Sequence, residues 1–495
     1  MRKVLTLGFI SLALLNVDAI AAQTLNPINY ASGQIAYTNS NIVVDAVKAP
    51  AVKGSLLVEN GKITQILPPE TQIPAGYQQV NLNNRYVVPG FIDAHIHLAQ
   101  SASAYTRPDI IDATKIQSYQ LDQAWLNQHR QNLLSDYLKV GITAVVDLGG
   151  PSGKLKHYAD AAKLQPSPDI YAAAELISTA AVPELEHEGH TFLAVSSAKE
   201  ALAAVKMQVG LPIQVVKFVW TDEAGHSPEQ LFTIYANAMQ YARKAGKIVA
   251  VHVEDLAYAK MAIKAHANIL VHGVMTAPVD DEFIALAKQH QVVYLPTLTA
   301  YNHYRDIFKQ QLSFSVQELA LTDHTIIESF EQLKLRHADT APMFQMLTKY
   351  LPYVDDIQAQ STLKPQEQAI VAQLSQLFSE QIALYQQQNL RRVLEAGVAV
   401  AIGTDAGNPG TVHGSAMLGE AQAWLDAGIS IQQVIHAMTQ GNARAYHIDQ
   451  SLGSLTSGKD ATFSVYDTNP VSDSFTTMAP NLVVVRGNIA LTNEE

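Results

Sequence analysis

Pro89-Gly90-Phe91-Ile92-Asp93-Ala94-His95-Ile96-His97 completes an apolar run that opens at Val88, and two of its last three residues are histidines. In an extended chain residues i and i+2 point to the same side, so His95 and His97 can chelate one metal together. The chain has 17 histidines, so chance pairs are common, and this pair gains weight from its place at the end of a predicted strand. Outward from it, compact apolar runs recur at Val88 to Leu98, Ile142 to Leu148, Ile170 to Leu176, Ile213 to Trp220, Ile248 to Val253, Asn268 to Val271, Val292 to Leu298 and Val398 to Gly403. Helix-like segments separate most of them. Short Val- and Ile-rich runs in this alternation indicate buried parallel strands, and eight of them predict a closed (β/α)8 TIM-like barrel of the α/β class. An open doubly wound sheet is the alternative, disfavoured because no Gly-rich phosphate loop follows the first run.

Later runs end on similar chemistry. His252 closes the fifth, His272-Gly273 the sixth, and Asp405 follows Gly403-Thr404 after the eighth. Barrel active sites form where the strands' carboxyl ends meet, so four motifs at that level support one another. Lys217 stands inside the apolar fourth run, where an ammonium is costly to bury. Desolvation and nearby divalent metals favour its neutral amine, which can react with carbon dioxide to give a carbamate, an anionic ligand with two oxygens. A lysine paired with a carboxylate at the barrel mouth is the competing reading.

Thr299 to Gly397 separate the seventh and eighth runs, with helical periodicity in Gln310 to Leu321, Asp323 to Lys349 and Gln366 to Leu394. Connections this long are usually lids or binding loops, and a surface decoration or homo-oligomer contact is the alternative. Tyr301 and His303, at its start, are candidate substrate contacts. Short alternating segments fill Tyr37 to Val87, where Asn60-Gly61 between apolar runs signals a hairpin. Ala461 to Tyr466 and Leu482 to Gly487 have the same character. Residues 23–88 and 448–495 are therefore expected to form one small discontinuous β-sandwich domain beside a barrel at 89–447.

Across 495 residues, 48% hydrophobic and 16% charged content excludes disordered and coiled-coil classes. Lys+Arg 33 against Asp+Glu 45 gives −12 with no run of like charge, which argues against nucleic acid or an anionic membrane as partner. With no cysteine there is no disulfide framework. Met1-Arg2-Lys3, the apolar stretch Val4 to Val17 and then Ala19-Ile20-Ala21-Ala22 have the three regions of a secretory signal peptide over 1–22. A membrane anchor is the alternative, but the run is broken at Asn16 and a span needs about 20 residues. The mature protein is expected to be periplasmic or secreted, without a membrane span.

Together, Pro89 to His97, Lys217, His252, His272-Gly273, Gly403-Thr404-Asp405, Leu452-Gly453-Ser454-Leu455 and Gly458-Lys459-Asp460-Ala461 resemble the amidohydrolase superfamily over nearly everything after the leader. His272-Gly273-Val274 with Asp280 to Ile284, Leu295-Pro296-Thr297-Leu298 and Thr439 to Ala443 are similar to its prolidase and imidazolonepropionase-like branch. The resemblance implies two divalent metal ions, zinc being expected for imidazole and carboxylate ligands. One would sit on His95, His97 and Asp405, the other on His252 and His272, with carboxylated Lys217 and a hydroxide bridging them. It gives Asp405 the role of moving the water's proton to the leaving nitrogen. It also suggests His190 as a substrate contact, since Glu186-His187-Glu188-Gly189-His190 stands where the branch often has Gly-Gly-His. The activity expected is cleavage of the C–N amide bond of a dipeptide or N-acyl amino acid by an exported, metal-dependent enzyme. A lactonase or phosphotriesterase is the alternative enzyme, and a non-catalytic ligand-binding barrel the alternative of another class.

Overall fold

Eight strands carry the barrel: Phe91–Ile96, Ile142–Asp147, Asp169–Ala172, Val215–Val219, Ile248–His252, Ile269–His272, Val293–Pro296 and Ala399–Val400. They come from a computed structural model that describes residues 33–47, 50–163, 166–472 and 475–492, so the expected leader lies outside the described residues. Neighbours pair in parallel within strands one to three and four to eight. Two further contacts close the circle. Gln214 N donates to Ala172 O at 2.9 Å between the third and fourth strands, and Ala94 N donates to Ile402 O at 3.2 Å between the first and eighth.

The runs read as continuously apolar because both strand faces are buried. Ile92, Ala94, Val146, Val215, Ile248 and Val271 pack against one another inside the barrel. Val216, Phe218, Val249, Leu270 and Tyr294 face outward onto helix residues such as Tyr235, Met239 and Phe283. Two runs depart from expectation. The third breaks after Ala172 and resumes as Leu176–Ser178, which pairs with Phe192–Ala194 and meets the fourth strand at Ile177. The eighth keeps regular pairing only over Ala399–Val400, because beyond it the chain presses against the first strand: a Cβ on Gly403 would lie 2.6 Å from His95 N.

The two ends of the chain share one mixed eight-stranded sheet, in which Phe463–Tyr466 pairs antiparallel with Tyr86–Pro89. Its first hairpin joins Val52–Glu59 to Lys62–Leu67 through Asn60 (φ 49) and Gly61 (φ 75), the positive pair that a type I′ turn requires. Tyr37, Leu56, Val87, Phe463 and Val484 form the core of this sheet.

The segment after the seventh strand is helical, with Ala300–Phe308, His324–Leu335, Pro342–Tyr350, Pro365–Phe378 and Glu380–Glu395 as its main helices. It builds its own core, packing Phe308, Leu333, Phe344 and Val371 against Tyr105 and Ile111 of the loop that follows the first strand. Ala104 N donates to Ser329 Oγ at 2.9 Å, and Ala341 N to Asp112 O at 2.9 Å. Both segments leave the barrel at the strands' carboxyl ends, so together they form a cap at that end. Among the described residues no helix is long and apolar enough to cross a membrane.

Candidate active site

With Ile92 and Ala94 facing the interior, strict alternation would turn His95 outward. The first strand avoids this with a bulge: Asp93 pairs with Val145, but the next registered pair is Ile96 with Asp147, leaving one extra residue between them. Ile96 then joins the outer core and the two histidines turn in. Asp93 fixes the bulge by accepting from His95 N (3.2 Å), Thr404 N (3.1 Å) and Thr404 Oγ1 (2.7 Å). Its complete burial pushes the carboxyl up to about 7.

Lys217 and His252 need no such device, since Val215 and Lys217, like Ile248, Ala250 and His252, follow the inward period of two. His272 does, because inward Ile269 and Val271 would leave it outside. Its φ of 70° re-aims it, and Asp405 has φ 62°. Non-glycine residues in this region cost on the order of 1–3 kcal/mol each and persist only where their surroundings hold them. Both carry side chains of the site.

Asp405 Oδ1 lies 3.1 Å from His95 Nε2 and 3.2 Å from His97 Nε2, and those two nitrogens are 3.3 Å apart. The His272 ring centroid is 5.0 Å from that of His95 and 4.5 Å from that of His252. Ligand atoms of His95, His272 and Asp405 all lie within 4.8 Å of one another. His97 Nδ1 sits 3.0 Å from Gly149 O, and a carbonyl can only accept, so this nitrogen carries a hydrogen and the ring is held with Nε2 toward Asp405. His272 Nδ1 is held by Thr297 Oγ1 at 2.7 Å.

Burial, reinforced by Lys217, drives His95 well below the usual imidazole range and His252 down to about 3; burial and then His252 drive His272 well below it. The rings are therefore neutral. Burial likewise lowers the Lys217 amine to about 7 against the opposing pull of Asp405. Lys217 Nζ, His95 Nδ1 and Asp405 Oδ1 are buried without a well-formed hydrogen bond among the described residues. Converging lone pairs on neutral imidazoles and a carboxylate, beside an orphaned amine, fit divalent cations such as zinc.

Three other expected residues lie outside this cluster. His190 has a 62% exposed side chain and pairs with Glu186 Oε1 at 2.9 Å, one helical turn away in sequence. Tyr301 donates its hydroxyl to Leu377 O and stacks on Phe378, so it holds the cap together. His303 is lowered to about 4 by burial and binds Thr411 Oγ1 at 2.9 Å, joining the cap to the loop after the eighth strand.

Glu254, Arg107 and Asn408 escaped the sequence reading. Glu254 Oε1 stands 3.7 Å from His252 Nε2; burial, with Glu223 and Asp405 adding, raises it to about 7 although 42% of its side chain is exposed. Its carboxyl therefore lies deep among protein groups yet within reach of solvent. Its place two residues beyond a candidate ligand was a usable signal. Arg107 grips Asp109 with Nε (2.8 Å) and Nη2 (2.5 Å), and donates from Nη1 to Asn408 Oδ1 at 3.0 Å. Loop residues of this kind follow no periodicity.

The sequence profile of the Amidohydrolase family matches residues 86–490. An imidazolonepropionase from Chromobacterium violaceum is 27% identical over 224 residues, which are 41% of this chain and 52% of that protein. The chain thus spans about half the length of this curated relative. A Xaa-Pro dipeptidase solved with methionine in its active site has a TM-score of 0.63 at 20% identity, over 92% of this chain and 99% of the other. Ochratoxinase from A. niger has a TM-score of 0.64 at 17% identity, over 92% and 95%. At these identities the solved structures show a common fold.

Proposed function

The chain belongs to the amidohydrolase family, and on that premise we propose that it falls in the prolidase and imidazolonepropionase-like branch and hydrolyses the C–N amide bond of a dipeptide or N-acyl amino acid with two divalent metal ions. The observation that carries this reading is the convergence on Asp405 Oδ1, with His95 Nε2 at 3.1 Å and His97 Nε2 at 3.2 Å.

His95, His97 and Asp405 would hold one ion, and His252 and His272 the other. When bound, such ions lower the pKa of water and polarise the scissile carbonyl. Asp405 would then carry the proton, accepting it from the attacking water and delivering it to the departing nitrogen. Lys217 would serve as its carbamate: the neutral Nζ adds to carbon dioxide, an N–C bond forms as one C=O π bond opens, one proton leaves, and a single negative charge is shared by two oxygens. Its burial without a hydrogen bond among the described residues supports this reading. The cap restricts access of water and substrate, which suits a choice among small substrates. Glu254, 3.7 Å from His252 and reached by solvent, would meet a bound substrate.

We also propose export, with cleavage after Ala21 or Ala22, supported by the charged, apolar and small-residue succession of the first 22 residues. The test of function is a library of dipeptides and N-acyl amino acids, with lactones and phosphotriesters alongside, assayed before and after metal removal. Turnover of amides that disappears on chelation and returns with divalent metal is expected. Turnover confined to lactones or phosphotriesters would overturn the substrate class, and full activity without metal would overturn the mechanism. N-terminal sequencing of the exported protein tests the leader.

A further inference from the structure

Asp405 is held in a left-handed backbone conformation, and its carbonyl accepts from Asn408, three residues further on, through the backbone N at 3.4 Å and through the side chain. Asn408 is 2% exposed, in the loop after the eighth strand. Its Nδ2 donates to Asp405 O at 3.2 Å. Its Oδ1 accepts from two separate segments, Arg107 Nη1 at 3.0 Å in the loop after the first strand and Tyr304 Oη at 2.8 Å on the first helix of the cap.

The orientation of this amide is determined by its partners. A guanidinium can only donate, so the atom facing Arg107 must be the oxygen, and the nitrogen must face Asp405 O. Arg107 is fixed in turn by its two bonds to Asp109, and His303, beside Tyr304, binds Thr411 in the same loop. We propose that Asn408 is a positioning residue through which the seated cap holds Asp405 in its working conformation. When Tyr304 is in place both lone pairs of Oδ1 are engaged and the amide is held from two segments; without that bond Arg107 alone anchors it, and the Nδ2 donor to Asp405 O is held less firmly. This inference rests on the role assigned to Asp405 above.

Two variants separate the links. Asn408→Asp keeps an acceptor for Arg107 and Tyr304 but replaces the N–H to Asp405 O with an oxygen, whereas Tyr304→Phe removes only the bond from the cap. Two readouts apply, steady-state kinetics on an amide substrate and the rate at which metal passes from the holoenzyme to a chelator, the second of which needs no substrate. For Asn408→Asp we expect kcat to fall and metal release to accelerate by about tenfold or more, with KM within about threefold. Tyr304→Phe should shift the same two quantities in the same direction by about two- to fivefold, and the double variant should be no worse than Asn408→Asp alone, since both act through one amide.

Additive effects in the double variant would overturn the proposal. So would a Tyr304→Phe protein that changes KM alone, or variants that lower Tm while leaving kcat and metal release at the parent values. Tyr304→Phe retains its ring and keeps the test available if Asn408→Asp does not fold. A parent protein that binds no metal would instead refute the functional reading itself.

Discussion

The barrel interior has two halves of opposite character. In the lower half, Asn442 is fully buried and fully engaged: Nδ2 donates to Ile92 O (2.6 Å) and Ile402 O (2.8 Å), and Oδ1 accepts from Ile402 N (2.9 Å). Tyr446 donates to Ala94 O at 2.6 Å, and hydrocarbon from Ile92, Val215, Ile248 and Ala443 fills the remainder. In the upper half Lys217 Nζ, His95 Nδ1 and Asp405 Oδ1 lack such bonds among the described residues, and His272 and Asp405 have left-handed backbones. Buried polar groups in native proteins are overwhelmingly satisfied, so the half where they are not is the half built around something else. The lower half stabilises the fold, and on the proposed reading the upper half gives up stability that a bound cation would restore.

The contrast can be broken most severely by removing metal. Chelation should reduce amide hydrolysis by about a thousandfold or more and lower Tm in the same titration, because ions bound only to the folded state add their binding energy to folding. Parallel assays of activity and thermal unfolding check this. Asn442→Ala should do the reverse, destabilising by about 2–4 kcal/mol while metal per chain stays at the parent value, as denaturant unfolding and elemental analysis would show. Lys217→Met sharpens the comparison. In metal-free protein it should stabilise by about 1–2 kcal/mol, since it replaces an unpaired buried amine with hydrocarbon, yet the loaded protein should lose one metal and its activity. Lys217→Ala should recover part of that activity with a short carboxylic acid in the medium. The smallest effect on stability is expected from replacing the interior of the cap with a short linker, which should alter relative kcat/KM across the amide library and leave metal content unchanged.

The barrel was legible because strands buried on both faces are written as unbroken Val- and Ile-rich runs, and the candidate cluster because most of its members stand at or just beyond the ends of those runs. The backbone irregularities that aim the cluster were not. Nothing in Asp93-Ala94-His95-Ile96 announces a bulge, and nothing in Val271-His272-Gly273 announces that the histidine, not only the glycine, takes positive φ. Such features arise from contact between distant segments, here the approach of Gly403 to His95 and the Thr404 bonds to Asp93. The cap was readable as helical, but its partner was hidden, since the loop around Tyr105 and Ile111 shows neither periodicity. Tyr301 lies where a substrate contact was sought, yet its hydroxyl is taken by Leu377 O within the cap.

The measurement that bears most directly on these points is an anomalous-diffraction map at the zinc edge from crystals of the metal-loaded protein. The expected result is two peaks, one within bonding distance of His95, His97 and Asp405 and one at His252 and His272, with branched density continuing from Lys217 Nζ between them. A cluster filled only by water, with Lys217 ending in a plain ammonium, would contradict the account.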